Sequence, residues 1–161
     1  MKNYLFVPGK INYVRGGRPN IECILCGIVN NDPRVESLVV YSDDLFTISV
    51  NLYPYNPGHL IIFPKRHIEQ LDELTENEVY GLHKLQLLAL SVLREVYQPQ
   101  GFNLGYNLGE ASGASVSHLH LHIVPRYKNE LGFIDIIGGA RIMVEDPKET
   151  QRKLKENFLK K

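Results

Sequence analysis

The stretch SVSHLHLHIVPR, residues 115–126, carries three of the chain's six histidines, at positions 118, 120 and 122. Imidazole binds metals, carries protons near neutral pH and acts as a nucleophile. Three readings therefore compete: metal ligands, a nucleophile with its supports, or a histidine-rich exposed face. A strand places residues i, i+2 and i+4 on one face, about 6–7 Å apart at each step. His118, His120 and His122 then share a face, with Leu119, Leu121 and Ile123 on the other, available for burial. A helix would scatter the same residues and leave no apolar stripe. An exposed strand face ordinarily mixes Thr, Lys, Glu and Gln, so the cluster reads as chemical.

The segment before it, GEASGAS at 109–115, is small and glycine-bearing. Such a loop lets backbone N–H groups approach an anion, and Ser112 and Ser115 add hydroxyl donors. No lysine follows as it would in a P-loop. A phosphate held here would lie against the imidazoles. Neutral imidazole attacks phosphorus without a strong base, forming a phosphoramidate and dividing one displacement into two steps. It needs one ring nitrogen fixed by an acceptor and donors for the phosphate oxygens. His120, the central member, is the expected nucleophile. The rival chemistry is zinc hydrolysis, with the three histidines holding the metal and an activated water attacking; spacing alone does not separate the two. The two cysteines, Cys23 and Cys26 in CILC, form a redox pair, half a zinc site or two buried thiols. A zinc site needs two further ligands from elsewhere.

The elements that position these groups follow from periodicity. SLVVYS and LFTISVNLY are β-rich runs split by Asp43 and Asp44, which predicts a hairpin. HLIIFP, after the turn-forming NPG, is a third strand. Thr75 and Glu78 then form a capping box. Val79, Leu82, Leu85, Ala89, Val92, Leu93 and Val96 recur at helical spacing until Pro99 and Gly101 stop the run. FNLGYN reads as a fourth strand and the histidine segment as a fifth. The tail from Pro147 reads as a basic amphipathic helix, over about 147–160. Residues 1 to about 20 are irregular, with RGGRP as a turn. Strands grouped around one main helix predict an α+β domain with an antiparallel sheet of about five strands.

At 161 residues the chain suits one domain with a real core. Lys plus Arg and Asp plus Glu are equal at 18 each, so wrapping a nucleic acid is disfavoured, although a local anion pocket is not. No apolar run approaches the roughly 20 residues that span a membrane. The opening MKNYLFVPGK lacks the apolar core and cleavage site of a signal peptide. A cytoplasmic location is expected, where a disulfide would not persist.

HLHLHIV fits the pattern His-φ-His-φ-His-φ-φ, with φ apolar, at every position. NLYPYNPGHLIIFPKRHIEQLDEL and GFNLGYNLGEASGASVSHLHLHIVPR resemble the nucleoside-binding strand pair, phosphate loop and triad strand of the histidine-triad nucleotide hydrolases and transferases. The resemblance covers Cys23 to Arg126. YLFVPGKINYV, CILC and VPRYKNELGFIDIIGGARIM are similar to the bacterial diadenosine tetraphosphate phosphorylase and hydrolase subgroup. Those proteins often carry tryptophan and GGD where this chain has Tyr127, Lys128, Asn129 and Glu130.

The resemblance implies roles residue by residue. His120 matches the nucleophile that takes up a nucleoside monophosphate, and His122 the histidine that contacts phosphate oxygens. Asn107 matches the amide beside the phosphates. Gly113 and Ser115 match the loop whose amide and hydroxyl meet phosphate or leaving group. Asn51 matches the ribose-binding position and His59 the histidine of the PGH turn. In zinc-bearing relatives two cysteines join a histidine after the FPKRH-like turn and the first triad histidine. Here that set is Cys23, Cys26, His67 and His118, a closed structural site within an N-terminal knuckle of about 1–30. His83 is expected to be a surface or packing residue. The implied activity is cleavage of dinucleoside polyphosphates, with water or phosphate as acceptor, by a homodimer. A phosphoramidate hydrolase or a nucleotide-binding module with little turnover are the alternatives. Hexose-1-phosphate transfer is disfavoured, because those transferases carry HPH where this chain has HLH.

Overall fold

The computed structural model describes residues 19–128, 130 and 144–161. The opening turn, most of the segment after the triad and Arg141 lie outside the described residues. Five strands form one antiparallel sheet: β1 (Val39–Ser42), β2 (Phe46–Val50), β3 (Leu60–Pro64), β4 (Gly101–Tyr106) and β5 (Leu121–Arg126), in the order β1-β2-β3-β5-β4. Helix α1 (Ile24–Val29) precedes the sheet, α2 (Glu76–Tyr97) connects β3 to β4, and α3 (Pro147–Phe158) follows β5. The α+β architecture thus agrees with the sequence reading.

Local chemistry accounts for each junction. The β1–β2 turn is set by Asp43, whose Oδ1 accepts the amides of Leu45 at 2.9 Å and Phe46 at 2.7 Å. The predicted capping box is present: Glu78 N donates to Thr75 Oγ1, and Glu78 accepts from Thr75 N. Helix α2 ends where Gln98 enters the left-handed region at φ 48°. Asp146 caps α3 by accepting from Lys148 N at 2.8 Å, with Pro147 as the first helical residue.

The sheet buries both faces. On one, Ile48, Val50, Leu60, Ile62, Leu121 and Ile123 meet α2 through Leu82, Leu85, Ala89, Val92 and Leu93, and α3 through Leu154 and Phe158. Each fully buried side chain of this kind contributes about 1.5–3 kcal/mol. On the other face, Ile61 and Phe63 pack with Leu25 and Ile28 of α1. One member of the expected α2 stripe is displaced: Val79 is 53% exposed. Glu78 turns inward instead, because its carboxylate takes both cap groups of Thr75 and the guanidinium of Arg66 at 2.6 and 2.7 Å. His83 is exposed, as expected.

The triad strand also needs correction. Regular β structure begins only at Leu121, so His118, in a bend, and His120 lie in the lead-in to it. That lead-in is pinned by Leu119 N donating to Ile68 O at 2.7 Å rather than by ladder pairing. Leu119, Leu121 and Ile123 are nevertheless all buried, as the alternation requires.

Candidate active site and metal centre

The face opposite α2 is built from the register of four strands. Ser49 pairs with Ile61, Ile61 with His122, and His122 with Gly105. Same-face neighbours of His122 are therefore aliphatic on one side and absent on the other, where glycine leaves room. A cavity of about 550 Å³ opens over this row. Asn51, Asn107, Gly113, Ser115, His120 and His122 are among its polar lining residues. Ile24, Ile28, Val35 and Leu38 are among its apolar ones, and Arg34 and Glu36 on either side of Val35 line it too.

Hydrogen bonds fix the protons on the rings. A carbonyl only accepts, so the 2.7 Å contact between His120 Nδ1 and His118 O puts the proton on Nδ1 and leaves Nε2 with a lone pair. A backbone amide only donates, so Tyr55 N at 3.0 Å makes His59 Nδ1 an acceptor. His59 Nε2–H then donates to His122 Nδ1 at 3.0 Å, which leaves the His122 proton on Nε2. Asn107 Nδ2 lies 3.4 Å from that nitrogen; two donors do not bond, so with the proton on Nε2 the amide turns its Oδ1 there to accept. One ring thus offers a lone pair and its neighbour an N–H, with centroids 4.7 Å apart.

Electrostatics keep these rings neutral. Burial lowers the pKa of His120, partly offset by its bond to the His118 carbonyl. Burial and the neighbouring His120 push His122 down to about 4. His59, 0% exposed, is depressed by burial and then by His122 and His120. Neutral imidazoles are what nucleophilic attack and the tautomer chain both require.

His59 is fully buried and is not among the lining residues of the cavity; its ring stacks on Tyr55 at 5.0 Å, and its Nε2 lies 3.0 Å from His122 Nδ1 and 3.4 Å from Asn51 Nδ2. The Ser112 hydroxyl donates to Gly109 O at 2.7 Å, so its single proton is not free for an anion. Gly113, at φ +84°, holds a left-handed conformation that L side chains rarely adopt, which explains glycine in the loop. Asn51 reaches the cavity, with its Oδ1 accepting from Tyr53 N at 3.0 Å. The apolar wall from α1, Val35 and Leu38 was not anticipated. Its signal was the Ile24, Leu25, Ile28 spacing, one helix face interleaved with the cysteines.

A second cluster lies beside the first. One donor atom each from Cys23, Cys26, His67 and His118 falls within 4.8 Å of the others. His118 Nδ1 is 3.3 Å from Cys23 Sγ and 3.4 Å from Cys26 Sγ, and His67 Nδ1 is 3.3 Å from Cys26 Sγ. A tetrahedral ion with Zn–S and Zn–N bonds of ordinary length spaces sulfur and nitrogen roughly 3.5 Å apart, so the donor set fits. His118 Nε2–H donates to Pro64 O at 2.9 Å, turning the Nδ1 lone pair toward the thiols. His67 Nε2 faces the Glu69 carboxylate at 3.6 Å. Burial and the adjacent Cys23 push the Cys26 thiol up to about 12. Among the described residues this is the one group of three or more such side chains placed to hold an ion. The histidines 118, 120 and 122 do not form another, because His118 turns to the cysteines.

Comparisons with known proteins identify the family. The family model described as HIT domain matches residues 32–129. Over 120 residues the chain is 42% identical to the AP-4-A phosphorylase of Mycobacterium tuberculosis strain H37Rv, covering 74% of this chain and 62% of that protein. The chain therefore spans less than two thirds of that relative's length. It is 33% identical over 103 residues to the asymmetrical bis(5'-nucleosyl)-tetraphosphatase of Schizosaccharomyces pombe, covering 64% of this chain and 57% of that protein. A crystal structure of a zinc-bound histidine triad family protein from Mycobacterium smegmatis matches with TM-score 0.70 at 28% identity, over 86% of this chain and 94% of that one. With its triad, its sheet and its cavity in this register, the chain belongs to the HIT domain family.

Proposed function

We propose that the chain is a nucleotidyl-histidine enzyme that cleaves dinucleoside polyphosphates such as diadenosine tetraphosphate. The observation that carries this reading is the His120 ring: its Nδ1 proton is held by the His118 carbonyl, and its other nitrogen keeps a lone pair at a cavity lined by both polar and apolar side chains. The apolar lining suits a nucleobase, Asn51 the ribose, and Asn107, Gly113, Ser115 and His122 the phosphates.

In the first step His120 Nε2 attacks the α-phosphorus, and the bond from phosphorus to the bridging oxygen breaks. The second nucleotide leaves with the electron pair as a phosphate anion and needs no proton. The ring becomes cationic, and the Nδ1–H···O=C bond stabilises it. His122 Nε2–H and the loop donate to the non-bridging oxygens as charge develops, the kind of contact that lowers such barriers by several kcal/mol. In the second step water or inorganic phosphate attacks the same phosphorus, and His120 departs with its lone pair restored. The two names among the relatives, a phosphorylase and a tetraphosphatase, correspond to these two acceptors.

Zinc at Cys23, Cys26, His67 and His118 would be structural: four protein ligands leave no position for water, so the ion supplies a crosslink. A homodimer acting on small nucleotides completes the reading.

The test is product analysis with diadenosine tetraphosphate, with and without inorganic phosphate. ATP plus AMP alone identifies water as acceptor; ADP appearing with phosphate identifies phosphorolysis. Turnover that survives in His120→Ala would refute the nucleophile.

A further inference from the structure

Helix α1 has only six residues, too short to be stable on local interactions. At 3.6 residues per turn its cysteines and its aliphatic residues point in opposite directions. Cys23, the N-cap, and Cys26 face His67 and His118. Ile24, Leu25 and Ile28 face the cavity, where they meet Val35 and Leu38. Among the described residues, the backbone hydrogen bonds of α1 end within Cys23–Asp32, so none ties it to the sheet.

The phosphate side is held differently. His118 keeps its bond to Pro64 O, Leu119 N is bonded to Ile68 O, and His122 sits in a strand paired on both sides. Those restraints do not involve the cysteines. One side of the cavity therefore stands on the sheet alone, and the other on the four-ligand cluster together with the packing of Leu25 and Ile28 against Ile61 and Phe63.

We infer that a metal ion at Cys23, Cys26, His67 and His118 determines the affinity of the cavity for the nucleobase, by fixing α1 as its apolar wall, and leaves phosphate recognition to the sheet. This rests on the proposed function, which puts the base against the apolar lining. Removing the metal leaves the wall held only by apolar packing and so loosens it, and a base must then order it on binding, a cost that appears as lost affinity. The coupling is reciprocal: a bound base retains the metal more tightly.

The experiment compares two probes, AMP and ribose 5-phosphate, which share sugar and phosphate and differ in the base. Binding is titrated by NMR on the zinc-loaded protein, on His67→Ala and on Ile28→Ala, with zinc quantified in each and circular dichroism confirming the folded state. His67 is exposed and lies outside the cavity lining, so its loss removes a ligand without opening the core. In His67→Ala, zinc content falls and AMP binding weakens by about tenfold, while ribose 5-phosphate is unchanged. Ile28→Ala reproduces the AMP loss with zinc retained. Equal weakening of both probes in His67→Ala, or AMP affinity unchanged with zinc gone, would overturn the inference. Failure of AMP to bind even the zinc-loaded protein would instead overturn the proposed function beneath it.

Discussion

Acid should unfold this protein partly through His122. Its pKa is held near 4 by burial and by His120, against an ordinary 6.5. A histidine depressed in the folded state binds fewer protons there than in the unfolded chain. Its contribution to stability is therefore complete above pH 6.5 and is lost as pH falls through 4. Each pH unit in that window carries 1.36 kcal/mol, so the full shift corresponds to about 3 kcal/mol, or about 2 kcal/mol after discounting for the ring's partial exposure. The assay is urea unfolding of wild type and His122→Gln at pH 7.0, 6.0, 5.0 and 4.5. Both proteins carry the same metal cluster, so its acid lability cancels in the difference. The stability gap between them should change in favour of the variant by about 2 kcal/mol across the range. A gap constant with pH would refute the neutral, buried His122 on which the tautomer chain depends. His59 lies deeper and is depressed in the same direction, so His59→Gln should flatten the same window.

Other outcomes follow from the same geometry. His122→Ala should lower kcat by about 10²–10³, the cost of one preorganised donor to a developing oxyanion, with little change in AMP affinity. His59→Leu leaves the Tyr55 amide without an acceptor and His122 without its donor; urea unfolding should show a loss of about 2–6 kcal/mol from two unsatisfied groups. Chelation or Cys26→Ser should lower the melting temperature by roughly 6–12 °C, as a structural ion worth about 3 kcal/mol requires, whereas a catalytic ion would abolish turnover with no such shift. Gly27→Ala would put a Cβ 2.8 Å from Val35 Cγ2 and 2.9 Å from Ile21 Cδ1. It should cost about 1–3 kcal/mol by overpacking and weaken AMP binding through Val35.

Most of the scaffold was legible in the sequence because its signals are local. Alternation at 119, 121 and 123 and the 3.6-residue recurrence from Leu82 to Val96 each reflect one buried face, and Thr75 with Glu78 announces a helix start. What escaped depends on distant partners. Val79 fits the apolar period, yet Glu78 took the inward position because Arg66 and Thr75 could satisfy its charge. His59 reads as a turn residue from its neighbours alone, and only the pairing of β3 with β5 sets its ring against His122. The proton positions on His120 and His122 were illegible for the same reason, since they follow from one carbonyl and one amide. His67 stands 41 residues from Cys26. Spacing alone could not join it to the cysteines; the family resemblance did. The short helix at Ile24–Val29 was missed because six residues carry too little periodicity to announce themselves.

The central claim is that His120 becomes covalently bonded to phosphorus. Wild-type and His120→Ala proteins are mixed briefly with diadenosine tetraphosphate, quenched without acid to preserve a phosphoramidate, and analysed by peptide mass spectrometry. A nucleoside monophosphoryl group on His120, formed and consumed at rates compatible with turnover and absent from the variant, is the predicted result. Turnover with no adduct on His120 at any quench time, or activity that persists in His120→Ala, would contradict it.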